Sequence, residues 1–448
     1  MQNNPVIYNM RYVVFISFIA ALGGILFGYD TAVIAGTTSF IKPYFLLDEY
    51  SLGWAVSCIL VGCAAGAIIA GYLCDKLGRK KVLLLCAVLF AATGIITALS
   101  TTLTVFVTFR IIGGLAVGVA AMASPMYIAE TVPAKWRGRL VSLYQLAIVS
   151  GILFAYTVNY FLADTGENNW RWMFAIQAVP SLLFFLFLFM VPESPRWLIK
   201  NNETAKAATI LTKIGGIAYC EEEKKSIGNS FSNKSNASIG ELFKPTFSKV
   251  IWLGIFIAIF QQVTGINAIL YYVPEIFKNT GVSTENALLQ SIGIGLVNLL
   301  FTVVAMWLVD KTGRRILLLS GCLIMCISLV VVALCFLYQY FDNYLVLIFL
   351  MLYIAGFSAS LGAVTWVILS EIFPNRIRSL ALSLCTLILW IADFVASFLF
   401  QVLNKKLGVP ATLLIFASLC ITYFFYIKFK VPETKGKTLE ELEQQFTL

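Results

Sequence analysis

Residues 71–81 read GYLCDKLGRKK, and residues 306–316 read MWLVDKTGRRI. Both carry Asp-Lys-x-Gly-Arg followed by a second cation, and each closes a long apolar run. Two more motifs recur in the same order: ETVPAKWRG (130–138) returns as EIFPNRIRS (371–379), and VPESPRWL (191–198) as VPETKGKTLEE (431–441). From Asp75 to Asp310, Glu130 to Glu371 and Val191 to Val431 the offsets are 235, 241 and 240 residues. Three motifs in one order at nearly one spacing mark a duplicated half.

What fills each half is apolar. The 448 residues are 60% hydrophobic and 12% charged, whereas a soluble domain carries roughly 25% charged residues. A hydrocarbon core of about 30 Å needs about 20 apolar residues per helix, and six such runs lie on each side of one polar segment. The runs are too long for barrel strands, and helices satisfy their own backbone in lipid. The expected fold is an all-α integral membrane protein of twelve transmembrane helices in two pseudo-symmetric six-helix bundles. The expected divisions are 1–193 for the first bundle, 194–247 for a linker, 248–430 for the second bundle and 431–448 for a tail. The first run, after Arg11, has no small-residue cleavage site and reads as a retained span.

Most of the 32 Lys and Arg residues fall in loops that follow even-numbered spans or near the termini. The positive-inside rule then places both termini and the linker in the cytoplasm of a plasma (inner) membrane protein. The net charge of +9 is a topology signal, so no nucleic-acid partner is expected. Ten cysteines and no histidine, with no C-x-x-C pair, give no metal set and imply no cofactor. Proton chemistry is left to carboxylates. In the linker, NNETAKAATILTKIGG (201–216) has the spacing and stop signal of a short helix; 221–238 reads as more flexible. Asn202, Asn233 and Asn236 match the glycosylation pattern by chance, since a cytoplasmic loop is not glycosylated.

The repeated loops suggest a charge network of Asp75, Arg79, Glu130, Arg137, Glu193, Asp310, Arg314, Glu371 and Arg378. Glu130 and Arg137, like Glu371 and Arg378, are seven residues apart, about two helical turns. The plain reading is topological anchoring by charge. The symmetric arrangement favours ion pairs that form when the inner ends of the two halves meet and break when they part.

Two charges lie inside spans. If the first span ends near residue 36 and the fourth begins near 104, Asp30 and Arg110 are each about 9 Å from the outer face. Opposite charges at one depth are expected to pair inside the bundle. The pair is either a static brace or a switch, in which protonating Asp30 releases Arg110. Asp393, a second carboxylate in a span, reads as a solvated pore-side residue or as a second protonation site. Gln261, Gln262, Thr264 and Asn267 crowd the seventh span near the midplane, with Gly265 as a place for the helix to loosen. Asn298 and Trp390 fall at similar depth. Amides supply donors and acceptors for hydroxyls, and Trp supplies an apolar face. That mixture suits a neutral sugar or polyol.

The motifs GYDTAVIAG (28–36), DKLGRK (75–80), RIIGGLAVG (110–118), SPMYIAE (124–130), PESPRWL (192–198), QQVTGINAILYYVPEIF (261–277), DKTGRR (310–315), SEIFPNRIR (370–378) and VPETKGKTLEELE (431–443) stand in order along the chain. With them the sequence resembles the sugar porter branch of the major facilitator superfamily over essentially its whole length, nearest in likeness to bacterial proton-coupled xylose, hexose and inositol carriers. The resemblance implies twelve helices in two six-helix bundles with a cytoplasmic helical linker; a monomer is the expected state. It also implies sugar contacts at Gln261, Gln262, Asn267, Asn298, Trp366, Trp390 and Phe27, an extracellular gate at Tyr271 and Tyr272, and proton coupling at Asp30 and Arg110.

There are departures from the family's pattern. Ile152 stands where a sugar-binding Gln is usual in the fifth span, and Leu389 where an amide is usual before Trp390. Asp393 also replaces a usual amide, Met306 a motif glycine, and the tenth span lacks a common proline. Thr365 or Thr386 is a candidate to replace the lost hydrogen bonds. The resulting expectation is a proton-coupled symporter for a monosaccharide, xylose or hexose. The alternatives are an inositol or polyol symporter, a proton-independent facilitator, which Asp30 opposes, and a non-transporting sugar sensor. An enzyme is not expected, because no nucleophile and base pair, metal set or phosphate loop appears.

Overall fold

A computed structural model describes residues 7–232, 239–341, 344–374 and 376–435. The first half runs α1 (Met10–Tyr44), α2 (Glu49–Leu77), α3 (Arg79–Leu99), α4 (Leu103–Thr131) and α5 (Ala134–Leu162), then a broken span of α6 (Asn169–Ala175) and α7 (Ala178–Leu188). Three helices connect the halves: α8 (Pro195–Lys200), α9 (Thr204–Ser232) and α10 (Ile239–Leu242). The second half starts with a span broken into α11 (Pro245–Val263) and α12 (Ile266–Lys278), followed by α13 (Thr284–Thr312) and α14 (Arg314–Leu337). A third broken span, α15 (Leu345–Ala359) with α16 (Leu361–Ile372), precedes α17 (Arg378–Lys430). Eleven stretches among the described residues are long and apolar enough to cross a membrane. The last, with 53 residues, would be about 80 Å long if straight; Gly408 (φ 81) breaks it into two spans. The chain therefore has the twelve-helix arrangement that the repeat predicts.

The duplication is visible in backbone geometry. The motif glycine turns the chain between α2 and α3 at Gly78 (φ 93, ψ 157) and between α13 and α14 at Gly313 (φ 95, ψ 153). Such φ values favour glycine. A Cβ would also crowd a carboxylate at each place, Glu193 at Gly78 and Glu433 at Gly313. The motif thus needs its glycine twice over, for the turn and for the incoming acid.

Within the first half, α2 and α4 approach backbone to backbone. Gly62 and Gly66 face the carbonyls of Ile111 and Leu115, while Gly114 and Gly118 face those of Ile59 and Cys63. Helices in lipid gain little from hydrophobicity against one another, so this small-residue crossing lets dispersion do the packing. The two halves meet chiefly at the end away from the linker. There Tyr156 donates to the Leu270 carbonyl at 2.7 Å, Lys278 Nζ donates to Ser39 Oγ at 3.2 Å, and Trp54 packs edge-on to Phe394.

Three expectations change. Helix α1 continues to Tyr44 instead of ending near residue 36, because Thr37 and Thr38 return their hydroxyls to the helix's own carbonyls and are no break. Residues 221–232 are helical, forming the second arm of α9 after a bend at Gly215–Gly216; 233–238 lie outside the described residues. The seven-residue Glu–Arg spacings are not two turns of one helix. Pro133 separates α4 from α5, and Phe373 and Pro374 follow the end of α16, so each Arg stands on a different helix from its Glu.

A leucine at position 114 has to displace the Ile59 backbone. Gly114→Leu is expected to cost on the order of 1–3 kcal/mol or more, read as loss of monodisperse protein and a lower Tm in detergent. Gly71→Leu on an exposed part of α2, where a Cβ meets open space, should leave both unchanged.

Candidate functional site

Asp30 in α1 and Arg110 in α4 meet as the spacing suggests. Arg110 Nη1 donates to Asp30 Oδ1 at 2.7 Å and also to the Asp30 carbonyl at 2.7 Å. Both residues are buried, at 4% and 2% exposure. The guanidinium carbon lies 5.5 Å from the Phe174 ring centroid. The pair forms although Asp30 is much further from the end of its helix than expected. At 35 residues, about 52 Å, α1 outruns the hydrocarbon by several turns, so counting from helix ends misjudges depth there. Asp30 Oδ2, Arg110 Nε and Arg110 Nη2 have no hydrogen-bond partner. Gln177, at the break between α6 and α7, lies beside Asp30, within reach of its carboxylate. Sequence reasoning missed Gln177; its only signal was a lone amide before Pro180 in an apolar run.

The second cluster forms where the seventh span breaks. Gly265 takes a left-handed backbone (φ 95) between α11 and α12. This turns Gln262 and Asn267 towards each other: Asn267 Nδ2 donates to Gln262 Oε1, and Gln262 Nε2 to Gln261 Oε1, each at 3.1 Å. Trp390 lies within 5.7 Å of Phe27, centroid to centroid, which brings the two halves together at this level. Its indole Nε1 is a buried donor without an acceptor. Asn298 accepts from Ser358 at 2.8 Å, a partner the sequence did not reveal. Tyr271 and Tyr272 are buried on α12, with Tyr272 stacked on Phe400 at 5.0 Å. Trp366 stands apart. It is 39% exposed and shares no hydrogen bond or ring contact with the amides among the described residues.

Asp393 is not solvated. At 1% exposure it accepts from Asn267 Nδ2 at 2.7 Å and from Ser397 Oγ at 3.1 Å. Ile152 and Leu389 are both buried, and the hydroxyl of Thr386 is spent on the Leu382 carbonyl. Thr365 is fully buried beside Tyr423, so neither candidate replacement presents its hydroxyl to the amides.

The charge network exists as two matching clusters, one in each half. In the first, Arg79 Nη2 donates to Glu130 at 2.9 Å, Ser194 Oγ donates to the other Glu130 oxygen at 2.5 Å, and Asp75 pairs with Lys200 at 2.8 Å. Glu193 accepts the backbone N–H groups of Arg79 and Lys80, at 2.9 and 3.1 Å, and so caps the start of α3. In the second, Arg314 Nη2 donates to Glu371 at 3.0 Å and Thr434 Oγ1 donates to it at 2.6 Å. Glu433 takes the N–H groups of Arg314 and Arg315 at the start of α14, at 3.0 and 3.1 Å. Glu433 was missed as a site residue, although the repeat aligns it with Glu193. Burial pushes the Glu193 carboxyl up from its usual range, against the pull of the Ser194, Lys80 and Arg79 N–H groups. Burial acts the same way on Glu433, but the N–H groups of Lys435, Arg314, Arg315 and Thr434 together hold it below its usual value. Arg137 and Arg378 do not take the acids seven residues before them. Arg378 donates to the Phe373 carbonyl at 3.0 Å, and Arg137 lines a cavity of about 230 Å³ with Glu130, Arg196 and Glu223. The Asp310 side chain lies outside the described residues.

Residues 16–446 match the family model described as "Sugar (and other) transporter". The chain belongs to this sugar transporter family. It is 39% identical over 443 residues to the arabinose-proton symporter of Bacillus subtilis (strain 168), covering 98% of this chain and 96% of that one. It is 40% identical over 474 residues to the D-xylose-proton symporter of Escherichia coli (strain K12), covering 97% and 96%. Among solved structures, the inward-open conformation of the xylose transporter XylE from E. coli superposes with a TM-score of 0.86 at 39% identity, over 97% of this chain and 100% of that one. Like the rest of the sugar transporter family, the chain is a membrane carrier and not an enzyme.

Removing Arg110 leaves a buried carboxylate without its counter-charge, which costs about 3–5 kcal/mol. Arg110→Leu is therefore expected to lower the Tm in detergent sharply, and Asp30→Asn combined with Arg110→Leu to recover part of the loss. A double variant no more stable than Arg110→Leu alone would show that the two side chains do not pair.

Proposed function

We propose that the protein is a proton-coupled symporter of a monosaccharide, xylose or hexose, working by alternating access in a plasma membrane. The linker and both termini lie on the cytoplasmic side in this reading. The single observation that carries it is the buried Asp30–Arg110 pair, held by a 2.7 Å bond inside a bundle of the sugar transporter family. A proton on Asp30 removes half of the ion pair, so the Arg110 guanidinium loses its acceptor and the packing of α1 on α4 changes. An inward proton gains about 2.3 kcal/mol per 100 mV, enough to concentrate a neutral solute tens of fold.

The solute sits against the amides of Gln261, Gln262 and Asn267, with Asn298 nearby and the Phe27 and Trp390 rings on its apolar face. Trp390 Nε1, a buried donor without an acceptor among the described residues, gives it a further polar contact. Tyr271 and Tyr272 form the outer gate. That the halves are joined at the end away from the linker, while each charge cluster closes within its own half, supports a state open towards the cytoplasm. The names of the arabinose and xylose symporters support the solute class. The buried Ile152 and Leu389 each replace an amide worth about 0.5–1.5 kcal/mol per hydrogen bond, which favours a solute preference different from theirs.

The test is transport in proteoliposomes with labelled xylose, glucose and inositol. Asp30→Asn is expected to keep counterflow and lose uphill uptake. Accumulation against a gradient by Asp30→Asn would overturn the coupling role, and absence of solute-driven proton entry in the wild type would make the protein a facilitator.

A further inference from the structure

Four side chains from two spans form one hydrogen-bonded series: Asp393, Asn267, Gln262 and Gln261. Each amide has a donor end and an acceptor end, so three amides in a row can run in either direction with the same number of bonds. An ionised carboxylate removes that freedom, because it can only accept, and a donor on each Asp393 oxygen is the arrangement that the ionised form takes. Both Asp393 oxygens are occupied by donors, Asn267 Nδ2 at 2.7 Å and Ser397 Oγ at 3.1 Å. Asn267 must therefore turn its NH2 group to Asp393, and the second N–H of that group reaches Gln262 Oε1. Gln262 in turn must give its NH2 to Gln261 Oε1. Among the described residues Asn267 Oδ1 and Gln261 Nε2 are left without a protein partner, and neither is among the buried orphaned atoms, so both keep accessible surface.

We propose that Asp393 is a positioning residue that fixes the direction of this amide chain, so that a solute hydroxyl at Asn267 must donate and a solute oxygen at Gln261 must accept. The inference rests on the reading of these amides as the solute site. It makes the carboxylate a determinant of which hydroxyl pattern is accepted without its touching the solute. With an amide at position 393 the chain could reverse, and the site would accept either pattern.

The experiment measures inhibition of labelled D-xylose counterflow by deoxy- and deoxyfluoro-xyloses, in proteoliposomes of the full chain, for the wild type, Asp393→Asn and Gln262→Ala. Fluorine cannot donate, so one position should show a strong fluorine penalty in the wild type. Asp393→Asn, nearly isosteric and free of the buried charge, should reduce that one penalty about three- to tenfold, the span of one hydrogen bond, and leave the other positions alone. Penalties that stay the same, or that all scale by one factor, overturn the inference. Gln262→Ala separates the two readings. If it abolishes counterflow while Asp393→Asn changes no penalty, only the orienting role falls; if it leaves counterflow intact, the solute site and the inference built on it fall together.

Discussion

A charge placed in hydrocarbon must find its partner inside the protein, and that constraint organises the first half of this molecule. The cost of an unpaired ion there is several kcal/mol, far above the few tenths that one surface pair contributes. Asp30 and Arg110 can share one bond of 2.7 Å only if α1 and α4 pack in one register. The close crossing of α4 with α2, glycine against carbonyl, then fixes α4 from its other side. The register of three helices is thus tied to one ion pair.

The second half meets the same constraint with neutral groups. Its break at Gly265 frees backbone from helical pairing, and the exposed polar groups are taken up internally: the Thr264 carbonyl accepts from Tyr353 at 3.0 Å, and the side-chain amides bond in series. Irregular backbone at membrane depth is tolerated where protein surrounds it or it lines a cavity. One duplicated scaffold therefore carries two kinds of site, an ion pair in one half and an amide chain ending on a carboxylate in the other.

Much of this was legible in the sequence because membrane burial makes polar residues conspicuous. Asp30, Arg110 and the Gln261–Asn267 group stood out against apolar runs, and the repeated motifs placed Gly78 and Gly313 in equivalent turns. Partners on other helices were not legible. Nothing in the order of residues says that Glu130 takes Arg79 and not Arg137; that depends on Pro133 ending one helix and on how the next one folds back. Helix ends were misread where polar residues satisfy themselves locally, as Thr37 and Thr38 do in α1. Gln177, Ser358 and Ser397 were overlooked because one amide or hydroxyl in an apolar span is a weak signal until its neighbours are known.

The two carboxylate caps, Glu193 on α3 and Glu433 on α14, carry a mechanical meaning. Each acid comes from the chain that leaves its own bundle, so the exit of each half is stapled to the start of that half's third span. The chain from that helix start to the exit acid is thereby closed into a loop of covalent and hydrogen-bonded links. The Arg–Glu pairs Arg79–Glu130 and Arg314–Glu371 thus close inside the half that the neighbouring acid staples, and neither borrows a charge from the other half.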